Sequence, residues 1–157
     1  MLAFCIDYEY PIIEDFVCSQ RNFDILCYLF RESEIEELLD ITGTYTLFAP
    51  SNDAFKELGD ANVEDLLEDP TGELQDILKY HISDRIYFEK DLYCDRKIDT
   101  LLGDTSDDFT TTECDFGLFQ KGNGNDSNAY PSIVATDIIT CNGVVHVVDK
   151  VILPKEE

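Results

Sequence analysis

Positive charge is scarce: 11 lysines and arginines stand against 34 aspartates and glutamates, a formal net charge of −23 over 157 residues. Neutralising phosphates needs clustered cations, and the longest basic cluster is Arg96-Lys97, so nucleic acid is excluded as a partner. An anionic bilayer is repelled by the same surface. Cationic patches, divalent ions or a saline medium that screens self-repulsion suit it better. No run approaches the roughly 18 consecutive apolar residues of a membrane helix. No GxSxG elbow, HExxH pair or phosphate loop occurs, which removes the recognised catalytic frames. Met1 to Ile6 has no basic flank or long apolar run, so any secretion signal is expected outside these residues. Pro154-Lys155-Glu156-Glu157 carries no lipid-anchor tail.

What is present describes a packed domain. Apolar residues make up 44% of the chain, with ten Phe and eight Tyr, enough to fill a core at about one domain's length. Without repeats or low-complexity linkers, one domain is expected over residues 9–157, preceded by an extension of residues 1–8. The six cysteines, Cys5, Cys18, Cys27, Cys94, Cys114 and Cys141, are even in number and lack any CxxC pair, which points to disulfides rather than zinc. Their fifteen possible pairings stay open.

Periodicity places helices first and strands last. Pro11 suits a first helical turn, with Ile12, Ile13, Phe16 and Val17 following at helical spacing. Asn22 is expected to cap a second helix carrying Ile25, Leu26, Leu29 and Phe30, and a third covers Glu34 to Asp40, ended by Thr42-Gly43. Thr44 to Ala49 is β-branched and aromatic and predicts a strand closed by Pro50. Capping residues at 51–53 precede short helices around Ala54–Leu58 and Val63–Leu67, and Leu74 to Tyr80 makes a further one ending at His81. Short strands are predicted at Lys97–Leu102, Phe109–Cys114 and residues 116–120. Asn125-Asp126-Ser127, in a Gly-Asn loop, is an N-glycosylation sequon. The runs 132–140 and 144–152 flank Asn142-Gly143, a hairpin signal because both turn positions favour positive φ.

Three ordered segments then resemble a known family. Thr44-Tyr45-Thr46-Leu47-Phe48-Ala49-Pro50-Ser51-Asn52-Asp53-Ala54-Phe55 is similar to the first signature box of fasciclin domains. The run from Asn142-Gly143-Val144-Val145-His146 through Asp149 to Pro154 is similar to the second, and Tyr80-His81 to the Tyr-His segment between them. The resemblance implies an α+β fold: a wedge of short strands flanked by short helices with a carboxy-terminal hairpin. It also implies an extracellular cell-adhesion or matrix module without a cofactor, binding a protein or glycan, with sibling domains in some members. Cys18, Cys27, Cys94, Cys114 and Cys141 resemble a cysteine pattern of some algal and bacterial members, and the acidity suggests a saline source. In animal matrix members an Asp-Ile pair before the second box and the Tyr-His segment are associated with partner binding, which here falls on Asp137, Ile138, Tyr80 and His81.

Other chemistries are less well supported. A nucleophilic set would need Ser or Cys141 beside His146 and Asp149, and on a regular strand Asp149 points away from His146. Asp104, Asp107 and Asp108 form one acidic cluster and Glu57 to Asp76 another, able to attract calcium diffusely but lacking an EF-hand pattern. Two rival functions follow: a small-molecule pocket near His81, and self-association once calcium screens the net charge.

Overall fold

The computed structural model describes residues 9–103 and 108–155. Expectations for Cys5, for the 1–8 extension and for Asp104 and Asp107 fall outside these residues.

Tyr45–Pro50 (β1) is buried at every position, and so is Gly143–Val148 (β7). Strands without an exposed face must be covered on both sides. The two lie parallel and in register, from Tyr45 opposite Gly143 to Pro50 opposite Val148. Parallel neighbours require a long crossover, which the intervening chain supplies. Ile82–Ser83 (β2) and Ile133–Thr140 (β6) pair antiparallel on either side, giving the order β2-β1-β7-β6. Lys97–Asp99 (β3), Phe109–Glu113 (β4) and Phe119–Lys121 (β5) form a second, antiparallel sheet.

Strand alternation sorts the side chains of β1 into two cores. Tyr45, Leu47 and Ala49 pack with Leu26, Leu29, Phe30, Phe55 and Leu78 from the helices. Phe48 packs with Tyr80, Tyr87, Ile98, Val148 and Ile152 on the opposite side, toward the second sheet. The helical layer consists of Ile13–Ser19 (α1), Asp24–Ser33 (α2), Asn52–Leu58 (α3), Asp60–Leu67 (α4) and Gln75–Tyr80 (α5). Under the second sheet, buried Gln120 receives the Thr112 hydroxyl at 2.7 Å and donates to Thr110 at 2.8 Å, so its amide is partnered inside the fold.

Three local expectations need correction. The final hairpin forms, but its turn is Cys141-Asn142, since Thr140 pairs with Gly143. Neither Asn142 nor Gly143 has positive φ. Gly143 is instead required by crowding: a Cβ there would overlap the Tyr45 carbonyl oxygen of β1 and lie 2.8 Å from its carbon. Asn22 does not cap α2; the Asn52 side chain does so from across the fold, accepting the Ile25 N–H at 3.0 Å. The third helix shrinks to a 3-10 turn, Ile35–Leu38, because Glu34 turns left-handed at φ 58 and breaks it from α2. Ser51 does cap α3, accepting the Ala54 N–H at 3.3 Å.

Cys18–Cys27 ties α1 to α2, and Cys94–Cys114 ties the lead into β3 to the residue after β4. Cys141 is disulfide-bonded as well.

Candidate functional site

The antiparallel ladder between β6 and β7 is not regular. Ala135 pairs with Val147 and Ile138 with Val145, so Thr136 and Asp137 together oppose His146 alone. Two residues against one is a β-bulge, which bends the strand and redirects a side chain. Asp137 takes the left-handed conformation at φ 58, which aspartate tolerates better than most residues.

The bulge is held from beneath and from the side. Its displaced Asp137 N–H donates to His146 Nδ1 at 3.2 Å, and His146 Nε2 contacts the Tyr87 carbonyl at 2.6 Å. A backbone N–H can only donate, so Nδ1 is the acceptor and Nε2 carries the proton. On the outside, the Asp137 carboxylate accepts the Glu89 N–H at 2.8 Å, and the Thr136 hydroxyl donates to the Glu89 carboxylate at 3.0 Å. Glu89 begins the 3-10 turn Glu89–Asp91, closed by the Phe88 N–H on the Asp91 carboxylate at 3.0 Å. Phe88, Glu89, Lys90 and Asp137 thus line one shallow open depression. Beside it β6, the edge strand, exposes Val134 at 59%. His146 is fully buried; burial pushes its pKa down, opposed by the Tyr87 carbonyl and by the Asp137 and Glu89 carboxylates.

Asp137 is therefore an exposed side chain on a fixed backbone, with Ile138 half-buried beside it. Tyr80 and His81 occupy no comparable surface. They are 0% and 1% exposed, so both side chains, expected at a partner surface, lie inside the fold. The Tyr80 hydroxyl donates to the Phe109 carbonyl at 2.7 Å and accepts the Asn123 N–H at 3.0 Å. His81 Nε2 accepts the Ile152 N–H at 2.9 Å, which leaves Nδ1–H to the Ile77 carbonyl at 2.8 Å. The pair joins α5 to the second sheet and to the segment after β7. Burial holds His81 neutral, its pKa pushed down to about 4.

Asn125 also turns inward. Its oxygen accepts the Gly122 and Leu153 N–H groups at 2.9 and 3.1 Å, and the nitrogen a glycan would need donates to the Val151 carbonyl at 3.2 Å. The nucleophilic set does not assemble: Cys141 is disulfide-bonded, both His146 nitrogens face backbone groups, and Asp149 accepts the Ser132 N–H at 2.7 Å. Among the described residues no three His, Cys, Asp or Glu side chains converge as metal ligands. The pocket expected beside His81 does not coincide with either depression described here, at Phe88–Asp137 or between α2 and α4.

The family model for the fasciclin domain matches residues 21–154, most of the chain, including both strands of the parallel seam. This chain belongs to the fasciclin domain family. Human periostin is 29% identical over 142 residues, an alignment covering 90% of this chain and 16% of periostin. The rabbit transforming growth factor-beta-induced protein ig-h3 is 29% identical over 142 residues, covering 90% and 19%. Protein sll1483 of Synechocystis sp. is 29% identical over 143 residues, covering 90% and 73%. The fasciclin domain here therefore spans less than a fifth of the two animal relatives. The FAS1 domain pair of the insect cell adhesion molecule fasciclin I shares its fold, with a TM-score of 0.60 at 18% identity over 83% of this chain and 45% of that one. No described helix is long and apolar enough to cross a membrane.

Glu89, Lys90 and Phe88 were not legible as site residues, because they lie some 48 positions from Asp137 and carry no motif. One signal did exist for the bulge. Ile138-Ile139 puts two apolar residues side by side where a regular edge strand would alternate.

Proposed function

We propose that this fasciclin domain, over residues 9–157, is an extracellular cell-adhesion or matrix interaction module, non-catalytic, that binds a protein or glycan through the bulged edge at Asp137 and Ile138. The supporting observation is the bulge itself. A charged side chain on an edge strand, fixed by a buried histidine below and the Glu89 turn beside it, is preorganised for contact and loses little freedom on binding. The disulfides fit an oxidising, extracellular setting. Family membership supports adhesion, as in the insect fasciclin I.

Asp137→Asn is the informative variant, because asparagine keeps the left-handed backbone and removes the charge. Cell attachment to surfaces coated with the domain is expected to fall by about tenfold, the loss of one charged contact, with thermal unfolding nearly unchanged. Equal attachment by the folded Asp137→Asn and Val134→Ser variants would rule this surface out.

A further inference from the structure

On the helical side of the main sheet, away from His146, an open groove of about 390 Å³ lies between α2 and α4. Leu29 of α2 and Phe55 of α3, 0% and 2% exposed, form its floor. Its walls are apolar: Ile25 and Tyr28 from α2 face Val63 and Leu67 from α4. Tyr28 is 52% exposed and the other three are half-buried, so among the described residues an apolar stripe continues from the core toward solvent.

The rim has one sign of charge. Asp24, Asp60 and Glu64 border the groove, all three are exposed, and no lysine or arginine lines it. None of the three takes part in a salt bridge among the described residues. A helix laid between two helices presents apolar side chains at three- and four-residue spacing, which matches a groove with apolar walls on both sides. Carboxylates flanking that groove favour cations on the incoming helix's polar face. A second copy of this chain would bring the same acidic rim and a net charge of −23, and is repelled.

We propose that the α2–α4 groove docks a cationic amphipathic helix of a partner protein, its apolar stripe on Tyr28, Ile25, Val63 and Leu67 and its basic residues on Asp24, Asp60 and Glu64. This surface is separate from the Asp137 edge, so either can fail alone.

The probe is a fluorescein-labelled leucine-lysine peptide with leucines at helical spacing, titrated with the whole chain and followed by anisotropy. Saturable one-to-one binding is expected, weakened at least about tenfold by scrambling the peptide at constant composition and by Glu64→Lys or Asp60→Lys. Val63→Ser is expected to weaken it while circular dichroism stays unchanged, and Asp137→Asn to leave it unaltered. Equal affinity for the ordered and scrambled peptides would show charge attraction alone and overturn the proposal. Wild-type affinity in Glu64→Lys and Val63→Ser would do so too, as would a concentration-dependent dimer in sedimentation that those variants dissolve, which would make a second copy the occupant.

Discussion

Gly143→Ala is expected to destabilise this fasciclin domain by about 4 kcal/mol or more, a magnitude reserved for strain that the core cannot relieve. The added methyl would meet the Tyr45 carbonyl group, backbone in the partner strand, with the carbonyl carbon at 2.8 Å and the nitrogen at 3.1 Å. Side chains can rotate away from such contacts; a paired strand cannot. Relief requires β1 and β7 to part at the end where Tyr45 N–H also bonds the Asn142 carbonyl at 2.9 Å. Both strands are wholly buried, so parting them opens both cores. Denaturant unfolding of the variant checks this, and a loss under about 1 kcal/mol would mean that the seam is not as tight as described.

Acid is expected to weaken the domain between about pH 6.5 and pH 4. His81 ordinarily binds a proton near 6.5 when unfolded, but burial pushes its folded pKa down to about 4. In that window the unfolded chain holds more protons, so stability is complete above the upper value and falls as pH falls. The difference amounts to roughly 3 kcal/mol for His81 alone. His146 shifts in the same direction and adds to the slope. Protonation would also place a second donor against the Ile152 N–H at His81 or the Asp137 N–H at His146. Unfolding free energy measured across this range should show His81→Gln less stable at pH 7 yet flatter with pH. An unchanged slope in that variant would remove His81 from the account.

Much of the fold was legible because its determinants are local. The β-branched run Thr44–Ala49, the capping Ser51 and the apolar runs flanking residues 141–143 each declare themselves within a few residues. What was not legible depends on partners distant in sequence. The parallel pairing of β1 with β7 joins segments nearly a hundred residues apart, and Gly143 is essential because of Tyr45 on that other strand, not because of its own turn. The Asn52 cap on α2 spans 27 positions. Tyr80-His81 and Asp137-Ile138 look alike as short polar-apolar pairs, yet one is buried between helix and sheet while the other sits on an edge. Burial separates them, and burial is a property of the whole chain. Asn125 teaches the same lesson, since its sequon is intact but its amide nitrogen is spent on Val151.

The hydrogen bond from the Asp137 N–H to His146 Nδ1 holds the bulge that presents Asp137. Long-range nitrogen-proton NMR correlations of the histidine rings test it directly. The prediction is an unprotonated, hydrogen-bonded Nδ1 and a protonated Nε2 on His146 at pH 7, a form that persists below the ordinary titration of an exposed imidazole. A proton on Nδ1 at neutral pH, or a ring that titrates freely near 6.5, would contradict it.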